Sequence, residues 1–130
     1  MSPSPDRLSD ETTPLAYFKQ RLKEFNAARG WGKHFKLASL AISISLESAE
    51  LLEKFQWSDG ATTQEYAEEL SDIVLYCLLF SMETGIDLST AIDEKMKKSA
   101  EKYPEEIFKP DVDTLDDYWA IKKKYRAGKG

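Results

Sequence analysis

The chain is poor in the residues that several familiar chemistries require. Its 130 residues include one cysteine and one histidine. A lone thiol cannot close an internal disulfide, and Cys77, set in DIVLYCLLF, reads as a small buried hydrophobe rather than a nucleophile. His34, in the loop GWGKHF, has no ligand spacing around it. This argues against a di-iron carboxylate bundle, which needs a Glu-x-x-His pair on each of two helices. No apolar run approaches the roughly 18 residues of a membrane span, so a soluble protein with no membrane partner is expected. The opening MSPSPDRLSDETTP has neither the basic start nor the apolar core of a secretion signal. It reads as a flexible lead-in, and a cytoplasmic location is the expectation. Positive charge is also in deficit: the net charge of -5 argues against nucleic acid as a partner and suits a site that collects cations.

Strand-like alternation never lasts, whereas apolar residues recur at three and four spacings from Leu15 to Met96, so the chain is expected to be all-α. Thr13 and Pro14 offer an N-cap and first helical position for a first helix whose core stripe is Leu15, Phe18, Leu22 and Phe25. A second helix is expected from about Lys36 to Phe55, ended by QWSDGATT. Thr62 and Glu65 have capping-box spacing for a third helix that stops at Gly85. Asp87 or Ser89 can cap a fourth, STAIDEKMKKSAEKY, which Pro104 ends. The second and third helices are apolar over most of their circumference, which places them inside a bundle and predicts burial against a second copy, as a homodimer. Beyond them, a short helix around Tyr118 to Tyr125 is possible. The aspartates 111, 113, 116 and 117 lack the glycine and terminal glutamate of a calcium loop.

SLESAELLEKFQW places Glu47 and Glu50 one turn apart, about 60° round the second helix from each other. Glu69 and Asp72 repeat that spacing on the third helix, with Glu65 and Tyr76 extending the face. Two interior helices joined by a short loop pack antiparallel, so the four carboxylates can converge. Together in desolvated surroundings they would repel and raise one another's pKa values unless a cation sat between them. All-oxygen ligation favours Mg²⁺ or Mn²⁺, and with it a nucleotide or pyrophosphate ligand. The alternative is a pair of solvated faces, with Glu50 and Lys54 as an i,i+4 pair. On the fourth helix Lys95, Ser99 and Lys102 share one face, which is either a phosphate contact or a plain exposed basic face.

SLESAELLEKFQW, EELSDIVLYCLLFSMETGIDL and KMKKSAEKYP together resemble the MazG-like all-α nucleoside triphosphate pyrophosphohydrolases, particularly their dCTP pyrophosphatase branch. The likeness runs from about Leu15 to Pro104 and rests on ExxE followed by ExxD, with 18 residues between Glu50 and Glu69. The resemblance implies a four-helix bundle that forms a homodimer or a homotetramer (a dimer of dimers). It also implies cleavage of a nucleoside triphosphate between the α and β phosphates to the monophosphate and pyrophosphate. On that pattern Glu47, Glu50, Glu69 and Asp72 hold Mg²⁺, and Glu50 orients the attacking water. Lys95, Ser99, Lys102 and Tyr103 would contact phosphate, and Trp31 and Trp57 would wall the base. Phe35 stands where the family has a loop histidine, and Ser39 and Ser99 where it has asparagines, which implies a shifted or relaxed substrate range, toward dCTP or a modified pyrimidine nucleotide, while the complete set of metal acids implies retained hydrolysis. A non-catalytic nucleotide-binding or assembly paralogue is the alternative. The implied organisation is a flexible segment over 1–12, the helical domain over 13–108 and a C-terminal extension over 109–130.

Overall fold

The computed structural model describes residues 7–33, 35–56, 60–111 and 113–128; among these residues the chain forms five helices and no strand. They are α1 (Leu15–Ala28), α2 (Leu37–Gln56), α3 (Thr63–Thr84), α4 (Leu88–Lys102) and α5 (Leu115–Ala127). The all-α expectation holds. No single helix among the described residues is long and apolar enough to cross a membrane.

Local signals explain most of the boundaries. Pro14 occupies the N-cap of α1 rather than its first turn, and no side chain caps that helix. Thr13, expected to cap it, instead accepts the Ser9 backbone N–H at 3.1 Å, closing a turn before the helix. The α3 start follows the capping box: the Thr62 hydroxyl accepts the Glu65 N–H at 3.2 Å, and the Glu65 carboxylate accepts the Thr62 N–H at 2.7 Å. Gly85 ends α3 at φ 71°, a conformation that costs glycine nothing and other residues considerably more. The extension forms more helix than expected. α5 spans 13 residues, with Asp116 and Asp117 in its first turn and Lys124 and Arg126 in its last, both complementing the helix dipole.

The chain divides into two compact units, Met1–Leu88 and Ser89–Gly130. In the first, α2 and α3 form the main helix–helix contact, and α1 packs less extensively on α3. The α2–α3 pair is antiparallel, as expected: Phe55 near the end of α2 stacks on Tyr66 near the start of α3, ring centroids 5.4 Å apart. At the other end of the same seam Leu40, Leu78 and Leu79 are buried, with Ser81 among them donating its hydroxyl proton to the Leu78 carbonyl at 2.6 Å. Leu15, Phe18 and Leu22 are half-buried and Phe25 is exposed; with Leu70, Val74, Leu75 and Leu78 they line an open apolar groove. Ile42, Leu46, Leu52 and Phe55 of α2 are each more than half exposed. In the second unit Tyr103 lies between two rings, Phe108 edge-on at 5.4 Å and Tyr118 stacked at 5.2 Å.

Candidate metal centre

The helical period sets Glu47 and Glu50 on neighbouring flanks of α2, and the antiparallel pairing carries Glu69 of α3 opposite them. Each of these three side chains supplies a carboxylate oxygen such that the three atoms lie within 4.8 Å of one another. Glu47 and Glu69 are half-buried; Glu50 is exposed. Asp72, expected as a fourth ligand, is exposed and lies outside this group. Its charge nonetheless reaches Glu69, whose pKa it helps to raise.

The cluster is electrostatically incomplete. Glu47 Oε2 and Glu69 Oε2 are buried and have no hydrogen-bond partner. Among the described residues Lys54 pairs with the cluster, its ammonium 3.7 Å from the other oxygen of Glu69. Among the described residues the ion pair of Lys54 is therefore with Glu69 across the seam, not with Glu50 four residues before it. The carboxyl of Glu50 is pushed above its ordinary value by Glu47, first through the close approach of the two carboxyl groups and then through the charge of Glu47. Glu69 is raised chiefly by desolvation, then by the charge of Glu50, with Lys54 pulling the other way. Three carboxylate oxygens within 4.8 Å of one another, on side chains two of which also carry a buried oxygen without a partner, suit a shared hard cation, whose oxygen ligands stand about 2.0 to 2.6 Å from the ion. The three residues fit a divalent cation; the donor set does not choose between Mg²⁺ and Mn²⁺.

The remaining expected site residues fall into separate places. Trp31 and Phe35 line one cavity of about 700 Å³ between α1, the loop after it and the end of α3. Trp31 is exposed and packs edge-on against Phe25, ring centroids 6.2 Å apart. Phe35 depends on Gly32, which has φ 84° and where a Cβ would stand 2.6 Å from the Phe35 ring. Sequence reading missed three lysines of this cavity, Lys19, Lys23 and Lys33. The spacing of Lys19 and Lys23, one helical turn apart, was the available signal. The α3 residues of the cavity begin at Leu79, ten residues and so about 15 Å along the helix from Glu69. The cavity and the carboxylate group of one chain are therefore not contiguous along α3. Ser39 is exposed in the first turn of α2 and does not line the cavity. Trp57, like His34, lies outside the described residues. Lys95, Ser99, Lys102 and Tyr103 belong to the second unit, where Lys95 is exposed and the other three are half-buried.

A two-helix seam that carries converging, partly buried carboxylates defines an all-α domain with a candidate metal centre. The family model described as MazG-like matches residues 42–109, more than half of the chain, and the protein belongs to that family. Among its relatives is dCTP pyrophosphatase 1 of Mus musculus, 30% identical over 110 residues that make up 77% of this chain and 64% of that one. The human dCTP pyrophosphatase 1 is 31% identical over 112 residues, 78% of this chain and 66% of that protein. The chain thus spans just under two thirds of the length of these relatives. A crystal structure of a pyrophosphatase from Archaeoglobus fulgidus superposes with a TM-score of 0.65 at 33% identity, covering 75% of this chain and 99% of that one.

Proposed function

We propose that the protein is a nucleoside triphosphate pyrophosphohydrolase that uses a divalent cation, Mg²⁺ or alternatively Mn²⁺. Its reaction would cleave between the α and β phosphates to release a monophosphate and pyrophosphate. The observation that carries the reading is the group formed by Glu47, Glu50 and Glu69, two of whose oxygens are buried without a partner. Similarity to the dCTP pyrophosphatases and to the archaeal pyrophosphatase supports the reaction class.

Glu47 and Glu69 would hold the cation, with Glu50, and Asp72 would complete the set from the adjoining flank of α3. When bound, the cation supplies charge neutralisation at the phosphates and lowers the pKa of a coordinated water. Glu50 is the exposed member of the three, so it is the carboxylate that would orient the attacking water and accept its proton. Lys95, Ser99, Lys102 and Tyr103 are assigned to the polyphosphate chain, where ammonium and hydroxyl groups would donate to phosphate oxygens. Trp31 and Phe35 are assigned to the base because they line one cavity of a size that admits a nucleobase. Phenylalanine offers that base a face but no polar edge, which weakens discrimination by hydrogen bonding. dCTP or a modified pyrimidine deoxynucleotide is the proposed substrate, in clearance of the nucleotide pool.

The exposed apolar residues of α2 support a homodimer, or a dimer of dimers. A monomer in light scattering at micromolar concentration would refute that assembly. A panel of natural and modified nucleoside triphosphates, with Mg²⁺ and a pyrophosphate readout, tests the reaction. Release of pyrophosphate that disappears in Glu50→Gln is the expected result. Tight nucleotide binding with no turnover across the panel would instead make the protein a non-catalytic paralogue.

A further inference from the structure

α5 lies beyond the residues that match the family model, yet it packs at the end of α4 against two of the residues assigned to phosphate, Lys102 and Tyr103. The Lys102 ammonium stands 4.6 Å from the centroid of the Tyr125 ring and 5.2 Å from that of its neighbour Tyr103. Both distances fall within the range in which a cation is attracted to an aromatic face. The Tyr103 ring is in turn fixed on two sides, stacked on Tyr118 at 5.2 Å with the planes 21° apart and met edge-on by Phe108 at 5.4 Å. Tyr118 is anchored within α5, where Lys122 donates to its hydroxyl at 3.2 Å. The start of α5 is tied down as well, the Asp113 carboxylate accepting the Leu115 N–H at 3.2 Å.

We propose that α5 is a clamp that positions Lys102 and Tyr103 for the polyphosphate chain of the substrate, with Tyr125 as the residue that holds the ammonium. The proposal rests on the reading above, that Lys102 contacts phosphate. A free lysine side chain loses much rotamer entropy when it is fixed on a ligand, and an ammonium already held over a ring has lost part of it before binding. The ring satisfies one face of the ammonium and leaves its other N–H groups free to donate to phosphate oxygens. Tyr125 acts through Lys102 and does not touch the reacting atoms, so it belongs in KM and not in kcat.

The test uses the full-length protein with Tyr125→Leu, Tyr125→Phe, Lys102→Met and the Lys102→Met/Tyr125→Leu pair. Tyr125→Leu should raise KM for the nucleoside triphosphate about 2- to 5-fold, the weight of one exposed cation–π contact, with kcat unchanged. Tyr125→Phe should restore the original KM, and adding Tyr125→Leu to Lys102→Met should change nothing further. An activity-independent readout is the ε-methylene proton shift of Lys102 in lysine-labelled protein. It should lie upfield of lysines with no ring beside them, move part of the way back in Tyr125→Leu, where the Tyr103 ring remains, and stay in Tyr125→Phe. An unshifted Lys102 signal, or a KM that is unchanged or lower in Tyr125→Leu, overturns the clamp. A shifted signal combined with a KM indifferent to Lys102→Met overturns the phosphate assignment, and with it any effect of α5 on substrate affinity.

Discussion

The seam between α2 and α3 is built in two different ways along its length. At one end Leu40, Leu78, Leu79 and Ser81 are buried and satisfied: the one polar side chain there, Ser81, spends its hydroxyl on the Leu78 carbonyl. At the other end, nine to twelve residues earlier on α3, the same two helices press three carboxylates together and leave two oxygens buried without a partner. Apolar burial without orphaned groups stabilises the fold, whereas repulsion among desolvated acids opposes it. The contrast therefore separates the part of the seam that holds the helices together from the part proposed to take the cation. Substitution at the two ends should give opposite signatures.

The largest expected effect is at the acid end and in rate. Glu50→Gln keeps the shape of the side chain but cannot accept the proton of the attacking water, so pyrophosphate release should fall by about 10²- to 10⁴-fold. Thermal stability without metal should be unchanged or higher, because one of the repelling charges is gone. A rate within a few-fold of the original would remove Glu50 from the reaction. The apolar end should invert this pattern. Leu78 is 1% exposed, and Leu78→Ala should cost about 2 to 5 kcal/mol in denaturant unfolding while leaving kcat nearly intact at a temperature where the variant is folded. A loss of turnover matching the first variant, in a protein still fully folded, would mean that the two ends are not separable.

Metal binding connects them. If Glu47, Glu50 and Glu69 share a divalent cation, Mg²⁺ at about one hundred times its dissociation constant should stabilise the fold by about 2.7 kcal/mol. Glu47→Gln or Glu69→Gln should reduce that increment sharply, and Leu78→Ala should leave it in place. Removing the cation with a chelator should return the melting curve of the original protein to its metal-free position. An equal Mg²⁺ increment in all of these variants would place the cation elsewhere.

How much of this was legible in the chain depends on the range of the interactions involved. The capping box of Thr62 and Glu65 and the Gly85 stop are local, and each is found where the sequence puts it. Of the two acid pairs, Glu47, Glu50 and Glu69 come together and Asp72 does not. The departure of Asp72 is a matter of helix rotation. At about 100° per residue, Ile73 and Tyr66 fall on one flank of Glu69 and Asp72 on the other. Ile73 and Tyr66 are half-buried and Asp72 is exposed, so α3 is turned with the Ile73 flank inward. Spacing alone cannot supply that rotation, which packing against α2 decides. Lys54 reaching Glu69 and Tyr125 reaching Lys102 are likewise tertiary contacts between residues that no motif links. The separation of Trp31 and Phe35 from the acids arises because the loop after α1 sits at the far end of α3.

The smallest expected effect tests whether the acid end needs its own local support. The α3 helix enters the seam through its Thr62 N-cap, about two turns before Glu69. Thr62→Ala removes the hydroxyl that accepts the Glu65 N–H and should lower stability by about 1 kcal/mol. The Glu65 carboxyl is held below its ordinary range, mainly by the hydrogen bond from the Thr62 backbone N–H and then by the Thr62 hydroxyl. A folded-state pKa below the unfolded one gives stability that is fully present above the unfolded value and is lost as pH falls through the folded value. Unfolding curves should therefore show the original protein losing this increment on acidification below the ordinary carboxylate range. Glu65→Gln should lose little there, having none of that charge-linked increment to lose. The rate at neutral pH should barely move in either variant if the carboxylate group is held mainly by the packed end of the seam. A large fall in pyrophosphate release with Thr62→Ala, at full folding, would show instead that the first turn of α3 sets the position of Glu69.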